Sequence, residues 1–262
     1  MCNAAVQCEM NRLLAALPAA DYQRLLPHLE FVPMPLGWTV YEEGGVQRHV
    51  YFPADSLVSL LHVMENGASA GVAVIGNDGV VGITLFMGGQ TTSRRAVVYG
   101  TGYGYRLQAS ALKSEFERGG ALQHLLLRYT MSLIAQITQT AVCNRHHSVE
   151  QQLCRLLLLS HDRLPTNELA LTQDLMSTLL GVRREGISEA AGRLQAAGLI
   201  RHARGRISVL DRPKLEAQAC ECYAVVKQEY DRLLPVAAQP ASIRFPALRT
   251  ASSNRLADLV EQ

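Results

Sequence analysis

No apolar run in this sequence approaches the roughly 20 residues that a helix needs to cross a bilayer, so no membrane partner is expected. The first residues, MCNAAVQCEM, lack a basic stretch followed by an apolar one, which argues against a secretory leader. No two of the six cysteines (Cys2, Cys8, Cys143, Cys154, Cys220 and Cys222) stand in a CxxC spacing. Together these absences point to a cytoplasmic protein with free thiols rather than a disulfide framework. Charged residues are scarce at 18%, while hydrophobic ones reach 48%, a balance that excludes wholesale disorder and allows real cores. There is no internal repeat. A chain of 262 residues has room for two domains of ordinary size or one large one.

Net charge is also small, only +2, but it conceals a local excess. Residues 1–182 carry twelve Lys and Arg against fourteen Asp and Glu, and residues 215–262 carry five against six. Residues 183–214 carry eight against three. One basic segment in a near-neutral chain implies a single anionic partner surface, of which phosphate backbone is the commonest.

Residues 9–26 have helical spacing (Leu13, Leu14, Leu17, then Tyr22, Leu25, Leu26), with Pro18 separating the turns. From Phe31 to about Leu107 short β-rich stretches (39–41, 49–52, 57–63, 70–74 and 95–99) alternate with Gly, Asn and Asp, as in a small sandwich or barrel. Glu65-Asn66-Gly67 and Asn77-Asp78-Gly79 read as hairpin turns. A long helix follows over residues 118–147. Its Leu122, Leu126, Tyr129, Leu133, Gln136, Thr140 and Cys143 step by four and three, a heptad seam that turns polar in its second half. The simplest partner for such a seam is its own copy, and core packing within one chain is the alternative. Residues 149–159 form another helix, and a last one is expected from Pro213 to about Leu234. Beyond Pro235 the composition loses all period and reads as a mobile tail. The expected division is 1–117, 118–147, 148–234 and 235–262.

The densest information lies in LTQDLMSTLLGVRREGISEAAGRLQAAGLI, residues 171–200. Thr172 can N-cap a helix whose apolar positions are Leu175, Met176, Leu179 and Leu180. Gly181 follows, free to take the positive φ of a sharp turn. A second helix turns Val182, Ile187, Ala190, Ala191 and Leu194 inward, and Arg183, Arg184, Glu185, Ser188 and Glu189 outward. Gly198 closes it. The β-like RHARGRISVL then adds Arg201, Arg204 and Arg206. Two short helices about a glycine turn, the second Arg-rich at its start, suit a major groove. The expected DNA-contacting set is Thr172, Gln173, Arg183, Arg184, Glu185, Ser188, Glu189, Arg204 and Arg206.

This stretch resembles the DNA-binding motif of the catabolite-activator and fumarate-nitrate-regulator (Crp/Fnr) family without a gap, and the resemblance extends from about Leu36 to Leu210. It implies an α+β protein with an N-terminal cyclic-nucleotide-binding-type β-roll, a long dimerisation helix and a C-terminal winged helix-turn-helix. It also implies a homodimer that binds double-stranded DNA and engages RNA polymerase. In the family, consecutive Arg and Glu early in the recognition helix read a G and a C. Those positions match Arg184 and Glu185, and the chemistry fits: Arg bonds guanine bidentately and Glu accepts from cytosine N4. The third reading position, Arg in the catabolite activator, is Glu189 here, and the family's Ser cap is Arg183. The operator is therefore expected to differ. Glu189 has a second reading as the i,i+4 partner of Arg193.

Residues 80–98, VVGITLFMGGQTTSRRAVV, resemble the family's phosphate-binding cassette. Such a cassette uses backbone N–H groups, a close-approach glycine and one Arg for the phosphate. Gly82 and Arg94 match, with Arg95 following. The Glu that holds the ribose hydroxyl is Ile83 here, which cannot accept that hydrogen bond. The adenine-contacting Thr-Ser pair corresponds to Ile137 and Thr138. The effector set carried over is thus Gly82, Ile83, Arg94, Arg95 and Thr138, and cyclic AMP is not expected to be the effector.

An iron–sulfur cluster normally takes four thiolates, and the N-terminus supplies only Cys2 and Cys8, so none is expected. Cys143, His146, His147 and Cys154 are metal-capable, but polar residues at a helix junction are more often solvated. Cys220 and Cys222 on one continuous helix would face different ways, so no chelate and no metal site are expected. A cysteine hydrolase built on Cys143 or Cys154 with His147 lacks oxyanion donors and an orienting acid, so no enzyme is expected.

Overall fold

The computed structural model of the chain describes residues 11–164 and 166–234. The expected tail after Pro235, Cys2, Cys8 and the start of the first helix lie outside the described residues. Two short helices open the fold, α1 (Arg12–Ala15) and α2 (Ala19–Leu25). Asn11 caps α1 by accepting from the Leu13 and Leu14 amides, and Pro18 separates the two helices.

Seven antiparallel strands follow: β1 (Leu29–Met34), β2 (Thr39–Tyr41), β3 (His49–Pro53), β4 (Leu57–Val63), β5 (Ser69–Ile75), β6 (Arg95–Gly100) and β7 (Gly102–Gln108). They form two sheets, ordered β1-β7-β3 and β2-β6-β4-β5. β4 has neighbours on both sides and is buried through its first five residues. Residues 64–68 make the β4–β5 hairpin, with Gly67 at φ +81° and the Asn66 Oδ1 accepting from Ala68 N. The second hairpin signal is corrected. After residues 77–79 the chain crosses to the opposite sheet, where Val81 bridges Tyr51. That turn serves as a docking point instead: Gly79 O accepts from the Asn11 side chain, and Asp78 binds Arg163.

After α3 (Ala109–Glu117) comes α4 (Ala121–His146), 26 residues and about 39 Å long. The heptad seam does not face outward. Leu122, Leu126, Tyr129, Leu133, Gln136, Thr140 and Cys143 are each at most 5% exposed within one chain. Its polar half is accounted for residue by residue. Gln136 donates to Val74 O of β5 and accepts from Tyr230, Thr140 accepts from Arg155, and Cys143 meets Cys220. The seam is therefore core, and a different stripe is exposed: Leu127 (47%), Met131 (56%), Ile134 (47%) and Val142 (44%), with Thr138 between.

The C-terminal part holds α5 (Val149–His161), β8 (Glu168–Leu169), α6 (Gln173–Leu180), α7 (Arg184–Ala196), β9 (Ile200–Ala203), β10 (Arg206–Val209), α8 (Arg212–Gln218) and α9 (Glu221–Leu233). Ser148 and Gln151 start α5 with a reciprocal capping box. The expected single last helix is in fact two, α8 and α9, broken at Ala219–Cys220 where both residues are extended. α9 runs back along α4, since Cys222 meets His147 at one end and Tyr230 meets Gln136 and Tyr129 further up. This return helix covers the seam that the sequence suggested for a second copy. No helix among the described residues is long and apolar enough to cross a membrane.

Candidate nucleic-acid interface

Thr172 caps α6, its Oγ1 accepting from Leu175 N at 3.2 Å. Leu180 ends the helix because Gly181 takes φ +66°, a left-handed value that lets the chain turn sharply into α7. Ile187, Ala190, Ala191 and Leu194 then bury one face of α7, together with Met176, Leu179 and Leu180 of α6. Burying that face fixes which side chains remain outside. Arg183, Arg184, Glu185 and Glu189 are all exposed, and Ser188 donates back to Arg184 O.

The first turn of α7 lies beside the start of α6. The Arg184 Nη1 is 3.3 Å from Asp174 Oδ1, and its Nε donates to Gln173 Oε1 at 3.4 Å. Both ends of this ion pair are exposed, so it is weak and readily exchanged for a stronger anion. Glu189 pairs with Arg193 at 2.9 Å, and Arg193 also binds Glu150 of α5. Both carboxylates raise the Arg193 pKa, the Glu150 hydrogen bond most. Glu189 is thus engaged within α7 by Arg193, the residue that ties this helix to α5.

The wing is the three-stranded sheet β8-β10-β9. Its β9–β10 turn places Arg204 at φ +52° and Gly205 at φ +74°, both left-handed, as a two-residue hairpin that follows the strand twist requires. Arg201, Arg204 and Arg206 all remain exposed, with Arg206 reaching Glu168 at 3.0 Å. Ile207 is buried and anchors the wing. An exposed helix start carrying two arginines next to a basic hairpin can place hydrogen-bond donors on base edges and cations on flanking phosphates.

In the sheet region Gly82 has φ +105°, and a Cβ there would sit 3.1 Å from the Val50 side chain. Ile83 packs against the core. Arg95 is already used, bonded to Thr39 Oγ1 at 3.1 Å and to Glu42 at 3.0 Å. Arg94 is half-buried beside Tyr41, whose hydroxyl is pushed up to about 12 by burial while Arg94 pulls it down. Thr138 lies on the exposed stripe of α4, its hydroxyl donating to Ile134 O. A separate cleft of about 500 Å3 opens between Gln47, His49, Leu85, Gln90 and Lys113. The Gln47 side chain there is buried with neither polar atom partnered. None of the residues that the resemblance carried over as effector contacts lines that cleft.

The sequence reading missed the exposed stripe of α4. Its signal was present as Leu127, Met131, Ile134, Thr138 and Val142, at steps of four, three, four and four.

Residues 151–218 match the family model of the Crp-like helix-turn-helix domain. No curated protein sequence matches the chain. Several solved structures share its fold at low identity. FixK2 from Bradyrhizobium japonicum has a TM-score of 0.63 at 16% identity, over 73% of this chain and 98% of that one. TTHB099, a CRP-family transcriptional regulator from Thermus thermophilus, has a TM-score of 0.60 at 18% identity, over 72% and 96%. The c-di-GMP-responsive global regulator CLP of Xanthomonas campestris has a TM-score of 0.58 at 18% identity, over 74% and 100%. The DNA-binding part of this chain is thus a Crp-like helix-turn-helix domain, carried on the fold of the Crp/Fnr transcriptional regulators.

Proposed function

We propose that this chain acts as a homodimer that reads a palindromic operator, with one α7 in the major groove of each half-site. The observation that carries the reading is the exposed Arg184–Glu185 pair at the start of α7, beside the basic wing. Arg184 donates to a guanine and Glu185 accepts from a cytosine. Arg183, Arg204 and Arg206, with the polar start of α6 at Thr172 and Gln173, take phosphates and set the register. Ser188 lies one turn further along α7. Glu189 serves the helix through Arg193 rather than a base.

The exposed α4 stripe is the face through which two copies pair, because the earlier seam is already used within one chain. Residues 1–117 form the sensor part, 118–147 the helix between, and 148–234 the DNA-binding part. The effector is not cyclic AMP, because Ile83 offers no acceptor for a ribose hydroxyl. The family likeness also suggests RNA polymerase as a partner and a cytoplasmic site of action. No catalytic role is proposed.

Two α7 helices related by a two-fold axis should select half-sites about one helical turn apart, roughly 10 bp. On the selected operator, Arg184→Ala should lose about 1–3 kcal/mol of binding. It should lose much less on a copy in which the contacted guanine is replaced. Equal loss on both duplexes would make Arg184 a phosphate contact and remove the base-reading role.

A further inference from the structure

The break between α8 and α9 has a chemical consequence. Cys220 occupies the N-cap position of α9 with extended dihedrals, so Cys220 and Cys222 do not diverge as they would on one continuous helix. Both turn toward the end of α4. There the ligand atoms of Cys143, His147, Cys220 and Cys222 all lie within 4.8 Å of one another. The three thiols are buried and the imidazole is half-buried. Cys143 Sγ is 3.6 Å from Cys220 Sγ, and Cys222 Sγ is 3.4 Å from His147 Nδ1. A tetrahedral zinc ion, with Zn–S near 2.3 Å and Zn–N near 2.0–2.1 Å, sets sulfur–sulfur edges of about 3.8 Å and sulfur–nitrogen edges of about 3.6 Å. These two edges match the tetrahedral values to within a few tenths of an ångström, and the other ligand atoms lie within 4.8 Å of one another.

We propose that these four residues form a closed Cys3His site for a zinc ion, which ties the returning helix α9 to the end of α4. Soft thiolates with one imidazole in tetrahedral array select this kind of metal. Two features around the cluster fit a resident cation with three thiolates. The far ring nitrogen of His147, Nε2, is 3.4 Å from the Glu221 carboxylate. That is the outer carboxylate that usually orients a metal-bound histidine, here leaving Nδ1 for the metal. The Gln139 amide donates to Cys222 Sγ at 3.1 Å, as outer donors to thiolates do. The second feature is electrostatic. Arg155 is buried, is bonded to Thr140, has no carboxylate partner among the described residues and leaves its Nε unpaired. Its charge acts on Cys143. Binding converts three thiols to thiolates and releases three protons, so zinc and its ligands carry a net charge of −1. That anionic complex supplies the counter-charge Arg155 lacks.

The test is a cobalt and zinc titration of the full chain under reducing conditions. Cobalt should give one equivalent per chain, with thiolate charge-transfer absorption and the visible bands of a tetrahedral ion, and zinc should bleach both. Cys222→Ser should weaken binding at least about a hundredfold. Cys154→Ser, a buried thiol outside the cluster, should leave it unchanged. Glu221 is exposed, so Glu221→Gln should fold normally and weaken binding about tenfold to a hundredfold. Absence of these bands in the wild-type chain would overturn the proposal. So would binding that survives in Cys222→Ser, or a Cys143–Cys220 disulfide as the cluster's only detectable chemistry.

Discussion

At the scale of single residues, the DNA-facing surface holds itself in check. Asp174 of α6 occupies Arg184 in the free protein, and in the proposed docking it lies beside the duplex. Releasing Arg184 costs little because both groups are exposed, yet in that docking the carboxylate would also repel the phosphate backbone. Asp174→Asn should therefore tighten operator binding, by no more than about fivefold, in a filter or fluorescence titration at fixed salt. Weaker binding would mean that Asp174 positions Arg184 rather than competing for it. Residues of this kind were legible in the sequence. Gly181 as a turn, Thr172 as a cap and the outward arginines follow from local rules, and the structure puts each where those rules require. The Arg184–Asp174 pairing was not legible, because it crosses between two helices whose relative placement depends on Met176 and Leu180 packing against α7.

Elements were legible where their neighbours are close in sequence and ambiguous where they are not. The periodicity of α4 is real, but a step of four and three describes a core-facing helix as well as a coiled-coil seam. What decided between them was α9, some ninety residues on. The polarity of Gln136, Thr140 and Cys143 was the available clue, since each has a specific partner inside the chain. Likewise nothing at Ala219–Cys220 signals a break, since neither Gly nor Pro stands there. The turn is imposed by α9 packing back on α4. β1 and β7 pair across some seventy residues, beyond the reach of any local pattern. These assignments separate the two faces of α4 experimentally. Met131→Glu with Ile134→Glu alters only the exposed stripe, so light scattering should report folded monomers. Leu133→Ala, on the buried face, should leave association intact and cost about 2–5 kcal/mol in urea denaturation. A dimer that survives the glutamate pair would move the subunit contact elsewhere.

Across the whole molecule, the sheet region and the DNA-binding region are packed together rather than strung on a linker. α6 lies against β5 so closely that a Cβ at Gly71 would come within 2.6 Å of the Leu179 carbonyl oxygen. Tyr99 of β6 bonds Ser160 of α5 at 3.0 Å. A third tie is Arg163, only 3% exposed, just past the end of α5. Its guanidinium makes two parallel contacts of 2.9 Å to Asp78, donates to Leu159 O and lies 5.0 Å from the centre of the Tyr230 ring. Burial works against the cation and Asp78 outweighs it, so Arg163 stays charged. One fork therefore joins the β5 turn, α5 and α9. The energetics of such a pair are asymmetric: removing one partner strands a buried charge, whereas removing both is nearly neutral. Asp78→Asn should lose about 3–5 kcal/mol in urea denaturation. Asp78→Leu combined with Arg163→Met should recover most of that loss, because the apolar pair needs no counter-charge. If the single change costs less than about 1 kcal/mol, water reaches Arg163 and the two regions are not coupled through it. If the double change is no better than the single one, the loss comes from disturbed packing of the turn. The charge would then not be what holds the sheet region to the DNA-binding region.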